Sequence, residues 1–176
     1  MPDEQQLIIE SPVGLLRLRS RGDALTAIEF GAEGRVRDLA AVAGLSLALQ
    51  AAITQLGEYF AGNRRVFDLP LAPRGTEFQQ AVWEQLAAIP FGETSTYGAL
   101  ARAIGRPGAS RAVGAANGAN PLPIVLPCHR VVGADRTLTG FGGGLPIKRQ
   151  LLTLEGLRLE GDKVLPPSDG QGLLPI

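Results

Sequence analysis

The chain has 176 residues, of which 45% are hydrophobic and 19% charged, and its formal net charge is zero. These values are typical of a globular protein with one or two small domains. A single cysteine excludes an internal disulfide, and one cysteine with one histidine cannot form an ordinary Cys/His zinc site. We therefore expect no bound metal and no cofactor.

Two features concern the location of the protein. The first six residues are acidic and polar, unlike a secretory signal. No apolar stretch reaches the roughly 18 residues that a membrane-spanning helix needs. Together with the single cysteine, these features predict a cytoplasmic protein that has no membrane partner.

Charge is unevenly distributed along the chain. Residues 91–150 contain seven Lys or Arg against two Asp or Glu, whereas residues 1–73 contain seven against nine. A basic surface formed by residues 91–150 would suit a polyanionic partner. Ordinary solvated arginines explain the same count, so charge alone does not decide between these interpretations.

The first half of the chain predicts a small antiparallel sheet followed by a helix. Three short strands separated by tight turns, typical of a meander, lie at 6–10, 15–20 and 24–30. Apolar residues three or four positions apart predict an amphipathic helix over 46–61, ended by Gly62 and Asn63. A short extended piece follows at 66–69, and Pro70 and Pro73 then indicate a domain boundary.

The second half predicts mainly helices. Thr76 and Gln79 form a capping-box pattern at the start of a helix that Pro90 stops. One helix starting near Thr96 and another near Ser110, joined by a glycine-containing turn, match a helix-turn-helix, although a plain helical hairpin has the same pattern. The other predicted elements are a small hairpin within 131–139, a glycine loop at 140–144, a helix over 145–155 and a loose tail over 161–176.

Together these elements predict an α+β fold. We expect a small N-terminal domain, residues 1–73, that contains the antiparallel sheet and one helix. A helical C-terminal domain, residues 74–160, would contain the helix-turn-helix and a small wing.

The predicted helix from Ser110 to Asn117 consists almost entirely of Ala, Gly and Val apart from Arg111. It has few side chains long enough to contact base edges in a major groove. Such a helix either packs tightly inside the protein or closely approaches a narrow groove, where shape and phosphates matter more than sequence. The composition alone leaves both possibilities open.

The only cysteine and the only histidine of the chain are adjacent, in the stretch Pro127-Cys128-His129. A thiol attacks as its thiolate, and a free cysteine with a pKa of about 8.5 is mostly protonated at neutral pH. A nearby imidazole is the usual proton acceptor, so Cys128 could be a positioned nucleophile. On adjacency alone, however, a lone cysteine is more often a small buried hydrophobe. Because neighbouring side chains on a strand point to opposite faces, contact between the two needs a turn or a bridging water.

The motif Pro127-Cys128-His129-Arg130-Val131, preceded by the segment 120–126, resembles the active site of the O6-alkylguanine-DNA alkyltransferases. The similarity extends over residues 75–156 and includes Tyr97, the run 110–114, the glycine loop and Glu155-Gly156. A match of this length, in order and with the same spacing, favours a nucleophilic Cys128. The resemblance also implies a ribonuclease-H-like fold for residues 1–73.

The chemistry that the resemblance implies is direct-reversal DNA repair. An alkyl group passes irreversibly from guanine O6, and also from thymine O4, to the sulfur of Cys128, once per molecule. His129 would act as a base through a water, and Glu155 would hold its imidazole. Asn120 would order the active-site turn, and Tyr97 would assist the leaving guanine at N3. Such a relay is expected to lower the pKa of the thiol.

The resemblance further implies a partner, double-stranded DNA containing O6-alkylguanine, bound through the minor groove. We expect the protein to be a monomer that can bind cooperatively along DNA. Arg111 would replace the nucleotide that flips out of the stack. The other residues expected at the DNA are Thr96, Tyr97, Arg106 and Ser110. The residues expected to line the substrate pocket are Pro123, Val131, Phe141, Gly142 and Gly143.

Three departures from the family pattern are visible, and none touches the transfer chemistry. Phe141 stands where some members have tyrosine, Asn117 stands where some have a larger apolar residue, and the ligands for the zinc of some members are missing. Three alternative functions each predict a feature that distinguishes them. A non-catalytic binder of alkylated DNA would lack the cysteine, a helix-turn-helix regulator would need long polar side chains on its recognition helix, and a cysteine hydrolase would turn over repeatedly on an ester.

Overall fold

The computed structural model of the protein describes residues 3–36 and 43–168. Its first element is an antiparallel sheet in the order β1 (Glu4–Ile9), β2 (Leu16–Arg21) and β3 (Ala24–Phe30). The register pairs Leu7 with Leu18 and Leu18 with Ile28. Alternation therefore brings the other leucines and isoleucines of the three strands to one buried face, whereas Ile8 lies on the opposite face. The three predicted strands are confirmed, with ends that differ by one or two residues.

Helix α1 (Leu47–Phe60) packs on the buried face of this sheet. Ser46 caps the helix by accepting a hydrogen bond from the backbone amide of Leu49. Its hydroxyl also lies 2.8 Å from that of Ser20, the buried polar residue on the inner face of β2. Ser46 thus caps the helix and also provides a hydrogen-bond partner for the buried hydroxyl of Ser20. This contact fixes the position of α1 on the sheet.

The second half contains four helices, and the central ones form the predicted helix-turn-helix. Helix α3 (Tyr97–Ala103) is joined by a turn to α4 (Ser110–Gly118), and α2 (Glu77–Ala87) packs across α4. Trp83 of α2 donates its indole N–H to the carbonyl of Ala116 at 2.9 Å. Helix α5 (Leu145–Leu154) lies further along the chain and ends at Gly156, whose φ of 88° favours glycine.

Two short strand pairs complete the regular structure described for the second half. Strand β4 (Ser95–Thr96) pairs in parallel with β5 (Val131–Val132), and β6 (Leu159–Glu160) pairs antiparallel with β7 (Lys163–Val164). A backbone hydrogen bond from Gly133 to Thr137 closes a tight loop after β5. The predicted hairpin within 131–139 is therefore wrong in its pairing, because Val131 and Val132 find their partner in β4.

Two further predictions need correction. The predicted loose tail begins too early, since Val164 is 2% exposed and packs with Val132, Leu138 and Leu152. Residues 165–168 have no regular structure, and the rest of the predicted tail, 169–176, lies outside the described residues. The extended piece predicted at 66–69 forms no strand, and Leu71 instead makes a parallel bridge to Leu25 of β3.

The two halves share one apolar core, which runs from the sheet through α1 to α2, α4 and α5. They are also tied through the backbone, because the amide of Ile28 in β3 donates to the carbonyl of Pro121 at 2.9 Å. Among residues 3–36 and 43–168, no helix has the length and apolar character that crossing a membrane requires.

The capping box predicted at the start of α2 is present and gives a test of helix stability. Thr76 accepts from the amide of Gln79 at 3.2 Å, and the Gln79 side chain accepts from the amide of Thr76 at 2.9 Å. We expect Thr76→Ala to lower the free energy of unfolding by about 1 kcal/mol, measured by urea denaturation. The matched control is Thr54→Ala in α1, because its hydroxyl bonds only within the helix, to Gln50. Equal losses in both variants would contradict the assignment.

Candidate active site

A loop of residues 120–127 leads from α4 to Cys128, and Asn120 holds its two ends together. The side-chain oxygen of Asn120 accepts from the amide of Leu122 at 3.0 Å, and its side-chain nitrogen donates to the carbonyl of Leu126 at 2.8 Å. The backbone amide of Leu126 also donates a hydrogen bond to the carbonyl of Leu122, which closes the loop between the two contacts of Asn120. Asn120 therefore fixes the segment that immediately precedes the cysteine.

The same loop contains a strained residue. Ile124 has a φ of 74° and is fully buried. A β-branched side chain in the left-handed region costs on the order of 1–3 kcal/mol and persists only where the surroundings impose it. Here the two contacts of Asn120 and the bond between Ile28 and Pro121 constrain the loop from both sides. The strain is concentrated directly before Cys128.

Cys128, His129 and Arg130 form a single turn of 3-10 helix rather than a strand. This turn removes the geometric objection to a cysteine and a histidine that are adjacent in sequence. Strand β5 follows at once, and its pairing with β4 brings the start of α3, with Tyr97, beside the turn. Cys128 is 5% exposed and His129 is fully buried.

The carboxylate of Glu155 lies at the centre of the site, at the C-terminal end of α5. Its Oε1 accepts from His129 Nε2 at 2.6 Å, from the Tyr59 hydroxyl at 2.7 Å and from Arg130 at 3.0 Å. Its Oε2 accepts from Arg130 Nε at 2.8 Å and from the amide of Gly92 at 3.2 Å. Glu155 thus joins the turn after Cys128 to α1 and to the segment before β4.

These donors determine the ionisation of the pair. Burial favours a neutral Glu155, but the hydrogen bonds and charges of His129 and Arg130 prevail and lower its pKa from 4.5 to about 2. Burial lowers the pKa of His129, against the hydrogen bond and charge of Glu155. A carboxylate only accepts, so Nε2 of the neutral imidazole carries the proton. Nδ1 has no hydrogen-bond partner among the described residues.

The environment of the thiol differs from the expectation. Burial raises the pKa of Cys128, although the side chain of Asn120 and the charge of Lys148 act in the opposite direction. The expectation of a lowered thiol pKa is therefore wrong, because removing the thiolate from water outweighs its neighbours. A thiol whose pKa is raised is protonated at neutral pH, so attack by the sulfur requires a base.

Lys148 of α5 is a buried cation beside the cysteine. Its side chain is fully buried, and its ammonium donates to the carbonyls of Val131 at 2.6 Å and Thr139 at 2.9 Å. Burial lowers its pKa to about 8, and the negative charge that Cys128 carries as a thiolate opposes this shift. The lysine thereby joins β5 to the irregular segment that leads into the glycine loop, and it contacts both sides of the predicted pocket.

Tyr97 lies between the helix-turn-helix and the predicted pocket. Its hydroxyl is 2.8 Å from that of Thr139, and a Cβ on Gly114 of α4 would lie 3.7 Å from its ring. Thr96, predicted to contact DNA, caps α3 by accepting from the amide of Ala99 at 3.1 Å. The small residue at 114 allows α4 to lie close to the tyrosine.

The glycine loop is held by the N-terminal sheet. Phe30, the last residue of β3, packs against Phe141 with ring centroids 5.5 Å apart. A Cβ on Gly143 would lie 2.9 Å from the Phe30 ring, so only glycine fits there. Gly142 is exposed, and nothing lies within 4 Å of the position its Cβ would take. Its backbone is therefore open to a ligand.

The basic surface is smaller than the sequence count predicts. Arg130 and Lys148 account for two of the seven positive charges in residues 91–150, and both are buried. Three exposed arginines belong to the helix-turn-helix: Arg102 lies in the last turn of α3, Arg106 lies in the turn between the helices, and Arg111 is the second residue of α4. Positive charge on this face is thus concentrated at the predicted DNA-binding elements.

The predicted residues fall into two groups. Cys128, His129, Glu155 and Asn120 are brought together, with the buried Pro123 and Val131 beside them in the chain. Arg106 and Arg111 are exposed and Ser110 is half-buried at the start of α4, all on the helix-turn-helix. Among the described residues, no group of three His, Cys, Asp or Glu side chains could hold a metal ion.

Sequence reasoning did not identify Lys148, Tyr59 and Phe30. Lys148 had a detectable signal, because it lies three and four residues before the apolar Leu151 and Leu152 on the buried face of α5. Tyr59 and Phe30 gave no signal, since they are far from Cys128 in the chain and look like ordinary core aromatics.

Comparisons with known proteins agree with this architecture. Residues 7–73 match the model of the 6-O-methylguanine DNA methyltransferase ribonuclease-like domain, and residues 77–157 match that of the DNA binding domain of the same family. A methylated-DNA–protein-cysteine methyltransferase of Mycolicibacterium paratuberculosis is 49% identical over 147 residues, covering 84% of this chain and 89% of that protein. One from Methanosarcina acetivorans is 47% identical over 150 residues, covering 85% and 96%.

Solved structures give the same result. The crystal structure of the Mycobacterium tuberculosis O6-methylguanine methyltransferase has a TM-score of 0.76 and 45% identity, covering 91% of this chain and 97% of that one. A structure of OGT from the same organism in complex with DNA also has a TM-score of 0.76, with 46% identity, covering 86% and 92%. The fold and the site define a DNA-binding protein with one buried cysteine beside a histidine–glutamate pair. The chain belongs to the 6-O-methylguanine DNA methyltransferase family.

The depressed pKa of Glu155 predicts a pH-dependent contribution to stability. A carboxyl whose pKa falls from 4.5 to about 2 on folding stabilises the folded state above pH 4.5, and this contribution is lost as the pH falls toward 2. We expect Glu155→Gln to lower the free energy of unfolding by about 3–5 kcal/mol at pH 7, because Arg130 also loses its buried partner.

The difference in the free energy of unfolding between Glu155→Gln and the wild type should be smaller at pH 3 than at pH 7. Urea unfolding across the pH range measures this difference. Glu84→Gln, which changes an exposed carboxylate of α2, is the control and should follow the wild type. A difference in the free energy of unfolding that stays constant from pH 7 to pH 3 would contradict the lowered pKa of Glu155.

Proposed function

We propose that the protein repairs alkylated DNA by direct reversal, with Cys128 as the alkyl acceptor. The proposal rests on the sole thiol of the chain lying next to a buried His129–Glu155 pair, in a member of this family. The sulfur attacks the alkyl carbon, a sulfur–carbon bond forms, and the bond from that carbon to guanine O6 breaks. Guanine leaves with the electron pair. The thioether is stable, so each molecule acts once.

The thiol proton passes through a water to His129. Because Nε2 is engaged by Glu155, Nδ1 is the nitrogen that accepts this proton. The imidazolium then lies against an ionised carboxylate, which stabilises it as in a catalytic triad. This relay supplies the base that a buried, protonated Cys128 requires.

The departing guanine takes up a proton from Tyr97 at N3. The Tyr97 hydroxyl, now bonded to Thr139, lies at the edge of the glycine loop and can change partner when a base enters. Pro123, Val131, Phe141 and Gly143 line the pocket, and the open backbone amide of Gly142 faces O6. The same geometry accepts O4-alkylthymine, whose alkylated oxygen is presented in the same way.

DNA binds through the helix-turn-helix, with α4 in the minor groove. The small side chains of α4 permit close approach, and Arg111 fills the space of the flipped nucleotide. Thr96, Arg106 and Ser110 contact the backbone around it. The relative of known structure in complex with DNA supports the choice of partner. The protein binds as a monomer and acts in the cytoplasm.

The two halves of the chain have different functions. We place the boundary near residue 73, because Leu71 still bridges to the N-terminal sheet and α2 begins at Glu77. Residues 74–160 carry the cysteine, the relay and the DNA-binding helices. Residues 7–73 match the ribonuclease-like model. This half contacts the carboxylate of Glu155 through Tyr59, and it contacts the loop before Cys128 through Ile28.

Transfer to Cys128 can be tested by mass spectrometry. Incubation with duplex DNA containing O6-methylguanine should add roughly 14 mass units, one methylene, to the peptide containing Cys128, and the yield should not exceed one methyl per protein molecule. Cys128→Ser should show no adduct. Repeated turnover, or repair by the serine variant, would falsify the proposal.

Arg111 distinguishes base flipping from sequence reading. Loss of the side chain should remove part of the flipping energy, a few kcal/mol. We therefore expect Arg111→Ala to slow transfer from duplex DNA by roughly one to three powers of ten, since each 1.4 kcal/mol is tenfold. Reaction with free O6-benzylguanine should change little, because no nucleotide has to flip.

Arg102→Ala is the matched control for Arg111→Ala, because it removes an exposed arginine of α3 and leaves α4 intact. It should slow the duplex reaction much less than Arg111→Ala does. Equal slowing on duplex and free base would show that Arg111 supports the pocket. A lost preference for one DNA sequence, with unchanged rates, would support a regulator instead.

A further inference from the structure

One of the donors to Glu155 comes from the N-terminal half of the chain. Tyr59 lies in the last turn of α1 and is fully buried, and its hydroxyl donates to Oε1 of Glu155 at 2.7 Å. Among the described residues, it is the only donor to this carboxylate that precedes residue 74. The contact therefore connects the N-terminal half directly to the histidine–glutamate pair.

The ring of Tyr59 is held in place independently of its hydroxyl. It packs against Phe60, Phe67 and Phe91, with ring centroids 5.3, 5.4 and 6.2 Å away. Burial and the adjacent carboxylate of Glu155 raise the pKa of Tyr59 far above its usual range. The hydroxyl is therefore a permanent donor in a fixed position.

This hydroxyl and the imidazole of His129 share one oxygen atom. Five donors converge on a carboxylate that offers about four lone-pair sites, and three of the five meet at Oε1. Each donor withdraws electron density from the oxygen and leaves less to stabilise a charged imidazole. Arg130 and the amide of Gly92 hold Oε2 and keep the carboxylate in place without Tyr59.

The groups facing His129 act in opposite directions. The carboxylate of Glu155 favours the imidazolium, whereas burial and the charges of Arg130 and Lys148 disfavour it. Cys128 is the adjacent residue and the proton donor of the proposed relay. Tyr59 acts through Glu155, because it weakens the one group that favours protonation of His129.

We propose that Tyr59 is a positioning residue of the proposed relay: by occupying Oε1, it keeps His129 neutral and ready to accept the proton of Cys128. This inference rests on the proposed function, since it assumes that His129 is the base. It also gives the N-terminal half a role in the chemistry, because Tyr59 of that half sets the basicity of Glu155 in the C-terminal half.

The test is Tyr59→Phe, which removes the hydroxyl and retains the ring packing. The chain has one histidine, so nitrogen-15 NMR of labelled His129 reports its titration without ambiguity. We expect the pKa of His129 to rise by about 0.5–1 unit, because Glu155 becomes the more basic partner. The rate of transfer from free O6-benzylguanine should fall about three- to tenfold on the acidic limb of its pH profile, and should stay within about twofold on the alkaline plateau.

Phe67→Leu is the matched control, because it loosens the packing around the Tyr59 ring without touching Glu155. It should lower the melting temperature without moving the titration of His129. An equal shift in Phe67→Leu and Tyr59→Phe, or no shift in Tyr59→Phe, would overturn the inference.

Glu155→Gln separates this inference from the proposed function. If Glu155→Gln slows transfer and Tyr59→Phe leaves the His129 titration unchanged, the relay stands and the role of Tyr59 is refuted. If Glu155→Gln transfers alkyl groups at the wild-type rate across the pH range, the relay itself is refuted. The NMR titration still measures the effect of Tyr59 on His129 in that case.

Discussion

The buried carboxylate of Glu155 is the interaction on which the active site depends. It receives hydrogen bonds from α1, from the segment before β4 and from the turn that contains Cys128. Burying this charge is unfavourable unless every lone pair is satisfied, and here donors from three separate parts of the chain satisfy it. Because those donors are far apart in sequence, the carboxylate is satisfied only when the whole fold is formed.

The surroundings of the cysteine follow the same rule. Lys148 is buried against the carbonyls of Val131 and Thr139, and Asn120 is bonded to both ends of its loop. Buried polar groups that are fully paired specify one arrangement, since any alternative leaves a charge or an amide without a partner. The strained backbone at Ile124 is tolerated because these contacts, together with the sheet, leave the loop no other conformation.

The surface that we propose to face DNA differs in character from this interior. Two of the positive charges near Cys128 are turned inward to hold the site, and three exposed arginines lie on the helix-turn-helix. Helix α4 presents small side chains, and Tyr97 packs directly behind Gly114. Close approach of a backbone and a few charges suits a ligand recognised by shape and phosphate. Sequence-independent binding is what a repair protein requires, because damage occurs anywhere.

The sequence by itself determined the elements and the chemistry. Alternation identified β1 to β3, the capping box of Thr76 located α2, and the Cys128-His129 motif identified the nucleophile, because these signals are local. The tertiary structure decided the rest. It paired β5 with β4 rather than in a hairpin, buried Lys148, raised the pKa of Cys128 and brought Tyr59 to Glu155. These outcomes depend on burial and on contacts between distant segments, and neither can be obtained from local patterns of residues.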